Sequence, residues 1–285
     1  MKMASNCYSC ILDRAKFEGD LLFSDDRDKR EAMEELLDFM AHHKGAVPSA
    51  VGTERERIMK RRSRNPDPYR EMKAESNQAA AALLPRAEQF YVEAEDRMEA
   101  LIRIAAAGNS MEWGVKGHDF DVESFEEAFL DTLEENFDGD LEEARRRICL
   151  FDKILYLTDN AGEIVFDLFV IDRLSEMGKD VVIGPKTEPI LNDVTFDELL
   201  SMTSHPLEPT GPVIGLSLEE ARPQLLGLLR DGRYLVIAKG MGNFETMTEF
   251  DDMLKGRLIY VMRAKCEPVS MALGVPRESL VVRTV

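Results

Sequence analysis

Two polar residues, Asp159 and Asn160, stand where a short apolar segment gives way to a helical pattern. Lys153–Leu157 predicts a buried strand, and apolar residues recur at helical spacing from Ile164 onward. A carboxylate and an amide oxygen are ligands for hard metal ions, and the start of a helix favours an anion. A carboxylate beside an anion needs a cation between them, which indicates a metal ion that bridges protein and phosphate. An ordinary Asx cap of the helix is the alternative.

Polar side chains also follow the other predicted strands, which are Asp180–Gly184, Tyr234–Ala238 and Leu258–Arg263. These side chains are Asp193, then Lys239, Asn243 and Glu245, and finally Lys265. The carboxyl ends of neighbouring parallel strands meet at one edge of a sheet, so the side chains can form one site. Asp159, Asn160 and Asp193 would bind a Mg²⁺-like ion, and the lysines would bind phosphate. The chemistry that needs both is phosphoryl transfer or hydrolysis.

The elements that must position these residues fall into two parts. Residues 1–150 are predicted to form a mostly helical N-terminal domain. In it, the basic run from Arg55 to Arg64 is predicted to be a solvated helix face, and Arg97–Ala107 is predicted to be a helix that ends at Gly108–Asn109. Residues 151–285 alternate strands with helices, which predicts an α/β domain that carries the site.

Composition narrows the classes of function. The 285 residues carry a net charge of −18, from 36 basic and 54 acidic residues, which argues against nucleic-acid binding. There is neither a membrane-spanning apolar run nor a signal-peptide pattern, so we expect a cytoplasmic protein. Cys7 and Cys10 form a lone CxxC pair. The pair could be half of a zinc site, a redox pair or two structural residues.

Several of these segments together resemble the damage-control phosphatases, also known as domain of unknown function eighty-nine or acidic-residue-methyltransferase-like proteins. The resemblance rests on Thr158–Asp167, Asn192–Thr195, Lys239–Glu245 and Ala264–Val269, in this order, and on Asn65–Tyr69 and Gly108–Asn109 further upstream. It covers nearly the whole chain. The Cys7 and Cys10 pair is similar to the archaeal and bacterial branch of the family.

The resemblance implies a helical N-terminal part packed on a three-layer α/β/α Rossmann-like domain. It also implies one divalent ion, Mg²⁺, Mn²⁺, Co²⁺ or Ni²⁺, held by Asp159, Asn160 and Asp193. The substrate would be a small phosphorylated metabolite, with Asn109 lining the site and Lys265 holding the phosphate. Glu112 departs from the pattern, since an Asp is expected at about that place.

From the residues and the resemblance we expect metal-assisted hydrolysis with Asp159, Asp193 and Lys265 as catalytic residues. Asn109, Lys239, Asn243, Glu245 and Lys265 are the expected substrate-binding residues. The nucleophile is either a water on the ion or one of the two aspartates. One alternative is an S-adenosylmethionine-dependent carboxyl methyltransferase, although only Ala161–Gly162 stands where a Gly-rich loop is needed. The other is a non-catalytic protein that binds a metal or a metabolite.

Overall fold

A computed structural model describes residues 1–111 and 122–285, with the side chains of 122–125 left out. Glu112, which departs from the family pattern, lies outside the described residues. The described helices are α1 (Ser5–Leu22), α2 (Asp26–His42), α3 (Pro48–Ser63), α4 (Arg70–Glu93), α5 (Arg97–Ser110), α6 (Val122–Glu134), α7 (Leu141–Leu150), α8 (Glu163–Glu176), α9 (Phe196–Leu199), α10 (Pro223–Arg230), α11 (Gly240–Met247) and α12 (Glu267–Leu273).

The strands form one six-stranded sheet in the order β1-β6-β5-β4-β2-β3. They are β1 (Phe137–Gly139), β2 (Lys153–Leu157), β3 (Asp180–Gly184), β4 (Tyr234–Lys239), β5 (Leu258–Arg263) and β6 (Leu280–Thr284). All neighbours pair in parallel except β5 and β6, which are antiparallel. The predicted strands are present within a residue of their expected bounds. Strand β1, which has three residues, was not predicted.

Helices cover both faces of the sheet, so the central strands are apolar throughout rather than alternating. Ile154 and Tyr156 of β2 face a core shared with α4 to α8. Leu155 and Leu157 face a second core shared with α10, α11 and α12. The α/β fold with three α/β/α layers is confirmed. Among the described residues, no helix combines the length and apolar composition needed to cross a membrane.

The first three helices form a bundle with an apolar core of their own. Within it, Arg55 is 4% exposed and donates two hydrogen bonds to Glu18, each 2.9 Å long. The prediction of a solvated face is therefore wrong for Arg55, because a buried acid neutralises it. The predicted boundary at residue 150 lies inside the sheet-packed region, since β1 pairs with β6 and α4 to α7 join the first sheet core. Whether residues 1–150 fold as a domain stays a prediction.

The order of the strands reverses beside β2. From β2 the chain crosses to β3 on one side, and then returns to β4 on the other side. A sheet of this kind opens a crevice at the carboxyl ends of the two strands between which the direction changes. That crevice lies beyond Leu157 and Lys239, where the predicted site residues begin.

Candidate active site

Two loop segments lie side by side beyond the end of β2. The backbone N–H of Ala161 donates to the Asn192 carbonyl at 2.8 Å, and the N–H of Val194 donates to the Asp159 carbonyl at 3.0 Å. Asn160 and Asp193 thereby form an isolated antiparallel bridge. The three predicted metal ligands, Asp159, Asn160 and Asp193, are brought together by backbone pairing alone.

The carboxylate of Asp159 is half-buried and held by two side-chain amides. Its Oδ2 accepts hydrogen bonds from Asn160 Nδ2 at 2.7 Å and from Asn109 Nδ2 at 3.1 Å. Burial raises the pKa of Asp159 well above its usual range, and the charges of Glu163 and Asp193 add to that rise. A positive ion that approached this carboxylate would relieve the repulsion.

Asn109 reaches the site from α5 and joins three elements. Its amide nitrogen also donates to Glu163 Oε2 at 2.9 Å, and its Oδ1 accepts from the backbone N–H of Arg263 at 3.1 Å. Asn109 lies inside α5, which runs to Ser110. The expected helix end at Asn109 is therefore slightly early. The helix continues through Gly108, where a Cβ would come within 3.2 Å of Phe166.

The helix that follows Asp159 begins without a side-chain cap from Asp159 or Asn160. The N-cap of α8 is Gly162, whose own N–H donates to Asn77 Oδ1 at 2.7 Å. The alternative of an ordinary Asx cap at Asp159 and Asn160 is wrong, because α8 starts one turn later than such a cap requires. Both side chains are left to face each other and the crevice.

Asp193 pairs with Lys186, a buried lysine just beyond β3. Lys186 Nζ lies 3.6 Å from Asp193 Oδ2 and donates to the Gly215 carbonyl at 2.5 Å. Burial raises the pKa of Asp193 to about 6, although Lys186 opposes the rise. Lys186 was not among the predicted site residues. Its position directly after a strand was the signal that could have found it.

Beneath Asp159 lies an inner layer of buried charge. Lys239 is fully buried, and its Nζ contacts Glu163 Oε1 at 2.6 Å and Asp167 Oδ1 at 2.5 Å. Burial opposes the charged lysine, but Asp167 and Glu163 outweigh it and raise the pKa of Lys239. Tyr156 completes the layer by donating to Asp167 Oδ1 at 2.6 Å. Lys239 therefore faces carboxylates inside the protein.

Lys265 differs from the two buried lysines. It is half-buried after β5, and within the described residues its ammonium forms neither an ion pair nor a hydrogen bond. Its charge lies close enough to Asp159 to lower the pKa of that carboxylate, against the larger effect of burial. Lys265 therefore forms no salt bridge with Asp159 or Asp193.

The remaining predicted residues contact other groups. Asn243 is buried and donates to the Lys239 and Thr158 carbonyls at 2.7 and 3.2 Å, so it fixes the backbone before Asp159. Glu245 accepts from Ser49 of α3 at 2.5 Å. Their roles in binding substrate stay predictions.

The CxxC pair lies in α1, near Glu245 and near Cys266, the residue that follows Lys265. Cys7 is buried and Cys10 is exposed, and both are free thiols. Burial raises the pKa of the Cys7 thiol, which disfavours the reactive thiolate.

Gly240 closes the floor beside Asp159. Its φ is +76°, and an ideal Cβ at this position would lie 1.9 Å from Asp159 Oδ2. Only glycine allows the backbone after β4 to pass this close to the carboxylate. Glu163 and Gly240 are the main residues that the sequence interpretation did not assign to the site. Both occur in segments that it had singled out, one turn after Asn160 and directly after a strand.

The charges at this edge do not balance. Four acids, Asp159, Glu163, Asp167 and Asp193, cluster with two buried lysines, Lys186 and Lys239. No three His, Cys, Asp or Glu side chains in the described parts of the chain are arranged to hold a metal by themselves. Asp159, Asp193 and the amide oxygen of Asn160 fit an ion such as Mg²⁺, which takes one or two carboxylates and keeps several waters.

The chain is similar to known proteins over nearly its whole length. The model of the damage-control phosphatase ARMT1-like domain matches residues 3–281. A damage-control phosphatase of Archaeoglobus fulgidus is 27% identical over 292 residues, with 100% of both chains covered. An uncharacterized protein of Methanocaldococcus jannaschii is 30% identical over 293 residues, which cover 96% of this chain and 93% of that protein.

The fold is shared with a solved structure as well. The crystal structure of a DUF89 family protein from Pyrococcus horikoshii has a TM-score of 0.87 and 26% sequence identity, and the match covers 99% of this chain and 98% of that one. The resemblance found in the motifs is thus confirmed, and the relatives support a phosphatase role in metabolite damage control. The chain belongs to the damage-control phosphatase family with an ARMT1-like domain.

Proposed function

We propose that this phosphatase hydrolyses a small phosphomonoester with one divalent metal ion bound by Asp159, Asn160 and Asp193. The observation that carries the proposal is the unbalanced acid cluster at the switch point of the sheet. The excess of negative charge in a partly buried crevice would repel a phosphate, and a divalent cation removes that repulsion. Mg²⁺, Mn²⁺, Co²⁺ and Ni²⁺ all suit the oxygen ligands.

Each residue of the chain then has a distinct task. When bound, the ion supplies Lewis-acid stabilisation of charge on the phosphoryl oxygens. Lys265 binds the remaining phosphate oxygens, since its ammonium makes no ion pair within the described residues. Asn109 orients Asp159 through its hydrogen bond of 3.1 Å. The half-buried carboxylate of Asp159 is the one that a substrate in the crevice can approach.

Lys239 acts from below the site in this proposal. Its two contacts, with Glu163 and Asp167, hold Glu163 against Asn109. We therefore assign Lys239 a positioning role in place of the direct phosphate contact expected from the sequence. Lys186 plays the same part for Asp193.

The test is hydrolysis of p-nitrophenyl phosphate with Mn²⁺ or Co²⁺, with and without a chelator. We expect phosphate release that the chelator abolishes and that added metal restores. Release that persists unchanged in the chelator would contradict the metal requirement. Transfer of a methyl group from S-adenosylmethionine without phosphate release would instead favour the methyltransferase alternative. Metal binding without any turnover would favour a binding protein.

A panel of small phosphorylated metabolites, assayed under the same conditions, identifies the substrate class. A preference for monoesters over diesters and anhydrides is the expected result, because one ion and one ammonium provide for a single terminal phosphate. Equal turnover of diesters would contradict the assignment.

A further inference from the structure

One face of α3 spans the loops that surround the active site. Four of its residues, at successive spacings of four, three and four, lie on the same side of the helix. Together they bond to three segments of the α/β part: Ser49 to Glu245, Thr53 to the N–H of Ile214, Glu56 to the N–H of Leu191, and Lys60 to the carbonyl of Pro189. The last two contacts are on one loop, the loop that leads into Asp193.

That loop contains a strained residue. Leu191 has a φ of +48°, a left-handed conformation that is strained for a residue other than glycine. The turn at Leu191 brings the Asn192 carbonyl to within 2.8 Å of the Ala161 nitrogen. Asp193 follows immediately, so its place opposite Asn160 depends on the turn being maintained.

Glu56 maintains the turn at a cost to the fold. Its side chain is 1% exposed, and its Oε1 accepts from Leu191 N at 3.3 Å. Its second oxygen has no hydrogen-bond partner within the described residues. A buried carboxylate with an unsatisfied oxygen destabilises a protein, and an apolar side chain would serve the bundle core better. Within the described residues, the contact with Leu191 is the one hydrogen bond that Glu56 makes outside the bundle.

We propose that Glu56, assisted by Lys60, is a positioning residue for the metal site, and that it fixes the Pro189–Leu191 loop so that Asp193 faces Asp159. The inference rests on the proposed metal site and extends it into the N-terminal bundle. Neither residue touches the substrate. Their effect is confined to the ion affinity and to kcat, because Lys265, which holds the phosphate, belongs to a different loop.

The experiment compares Glu56→Ala with Glu56→Gln, which retains an oxygen to accept from Leu191. Calorimetry with Mn²⁺ alone gives the affinity, and p-nitrophenyl phosphate at saturating Mn²⁺ gives kcat and KM. We expect Glu56→Ala to weaken Mn²⁺ binding by about 10- to 100-fold, as loss of support around metal ligands does. KM should stay within about threefold of the parent, and Glu56→Gln should restore most of the affinity.

Tyr69→Phe is the matched control inside the bundle. It removes the hydrogen bond of 3.0 Å from Tyr69 to Glu18, next to Glu56, without touching the Pro189–Leu191 loop. Mn²⁺ affinity should be unchanged in this variant. An equal loss in Tyr69→Phe and Glu56→Ala would overturn the inference, because it would show a general disturbance of the bundle.

Lys60→Met provides an independent route if Glu56→Ala does not fold. It removes the contact with the Pro189 carbonyl from a half-buried position and should weaken Mn²⁺ binding in the same direction. Unchanged affinity in folded Glu56→Ala, or in Lys60→Met, overturns the inference while the metal site stands. Absence of Mn²⁺ binding by the parent protein overturns the proposed function itself, and the two failures are therefore distinguishable.

Discussion

Two clusters of buried charged side chains in this protein differ in how many acids lack a positive partner. The edge cluster consists of Asp159, Glu163, Asp167, Asp193, Lys186 and Lys239, and the bundle cluster consists of Glu18, Arg55, Glu56 and Tyr69. In the bundle, Arg55 and Tyr69 satisfy Glu18 with three hydrogen bonds, which leaves one acid without a fixed positive partner. At the edge, two acids are in excess, and one of them, Asp159, is still accessible.

In the bundle cluster, binding of one proton is enough to neutralise the excess acid. Burial raises the pKa of Glu56 to about 7, so the bundle cluster becomes neutral by binding one proton near physiological pH. Burial also raises the pKa of Asp167 to about 7 and that of Asp193 to about 6, so protons offset part of the excess acid at the edge. In the proposed function a divalent ion supplies positive charge there, at a position open to ligands. Variants that change the number of charged side chains, or the space beside Asp159, test this comparison.

The largest effect is expected from removing either of the two acids that we propose as metal ligands. Asp159→Asn and Asp193→Asn keep the shape of the side chain but remove a negative ligand, so ion binding and turnover should both be lost, by about 10³-fold or more in kcat/KM. Circular dichroism should show a retained fold. Calorimetric titration with unchanged affinity in both variants would remove the basis for assigning them to the metal.

The second effect concerns space at the edge. In Gly240→Ala the new methyl would lie 1.9 Å from Asp159 Oδ2, so the carboxylate must move. We expect kcat/KM to fall by about 10²-fold or more, since displacements near 1 Å have such effects. Gly274→Ala is the matched control, because Gly274 has a φ of +73° but nothing within 4 Å of its Cβ position. A similar loss of activity in both variants would attribute the effect to backbone strain.

The third effect separates Lys265 from the buried lysines. Lys265→Ala should leave Mn²⁺ affinity nearly unchanged, raise KM for phosphate esters and lower kcat/KM by about 10²-fold, because the phosphate loses a charged partner. Lys255→Ala, at an exposed position before β5, is the control and should match the parent. Tighter Mn²⁺ binding with an unchanged KM would mean that Lys265 only balances the acids.

The smallest effect is one of stability in the bundle cluster. The pKa of Glu56 is about 7 in the folded protein against an ordinary 4.5, through burial first and then Glu18, while Arg55 and Lys60 oppose. Since the folded state holds this proton more tightly, Glu56 lowers the free energy of unfolding progressively as the pH rises from about 4.5 to 7.

Glu56→Gln cannot lose that proton, so it should be more stable than the parent at pH 8, by on the order of 2 kcal/mol, and nearly equal at pH 4.5. Urea unfolding of both proteins at the two pH values measures the difference. The edge cluster contributes equally to both proteins and cancels. A gap that is the same at both pH values would show that the charge of Glu56 is not responsible.

Much of the edge could be predicted from the sequence because strand ends carry their own signal. Asp159 and Lys265 follow apolar runs, and parallel pairing brings those ends together whatever else the chain does. The partners of buried charges could not be predicted in this way. Lys239 also follows a strand, yet its ammonium points inward to Glu163 and Asp167, a choice that depends on α8 packing on β4 and on no local pattern.

The basic run of α3 is a second case in which the burial of charged side chains could not be predicted from the sequence. Its composition is that of a solvated face, but Arg55 and Glu56 are buried by α1 and by the loop before Asp193. Burial of a charge is decided by what packs against it, and for α3 those partners are distant in the chain. The short strand β1 could not be predicted for a related reason. Three residues form a strand only when a neighbouring strand pairs with them.

That pairing of β1 has a consequence for the order of folding. Phe137–Gly139 bonds to Leu280–Val282, and among the described residues β6 is the one strand with which it pairs. During synthesis β1 therefore has no strand partner until β6 has been made. The closing of this side of the sheet joins segments far apart in sequence, and such contacts form late because loop closure must precede them. Strand β6 thus completes this side of the sheet from within, by entering between β5 and β1 rather than adding at an edge.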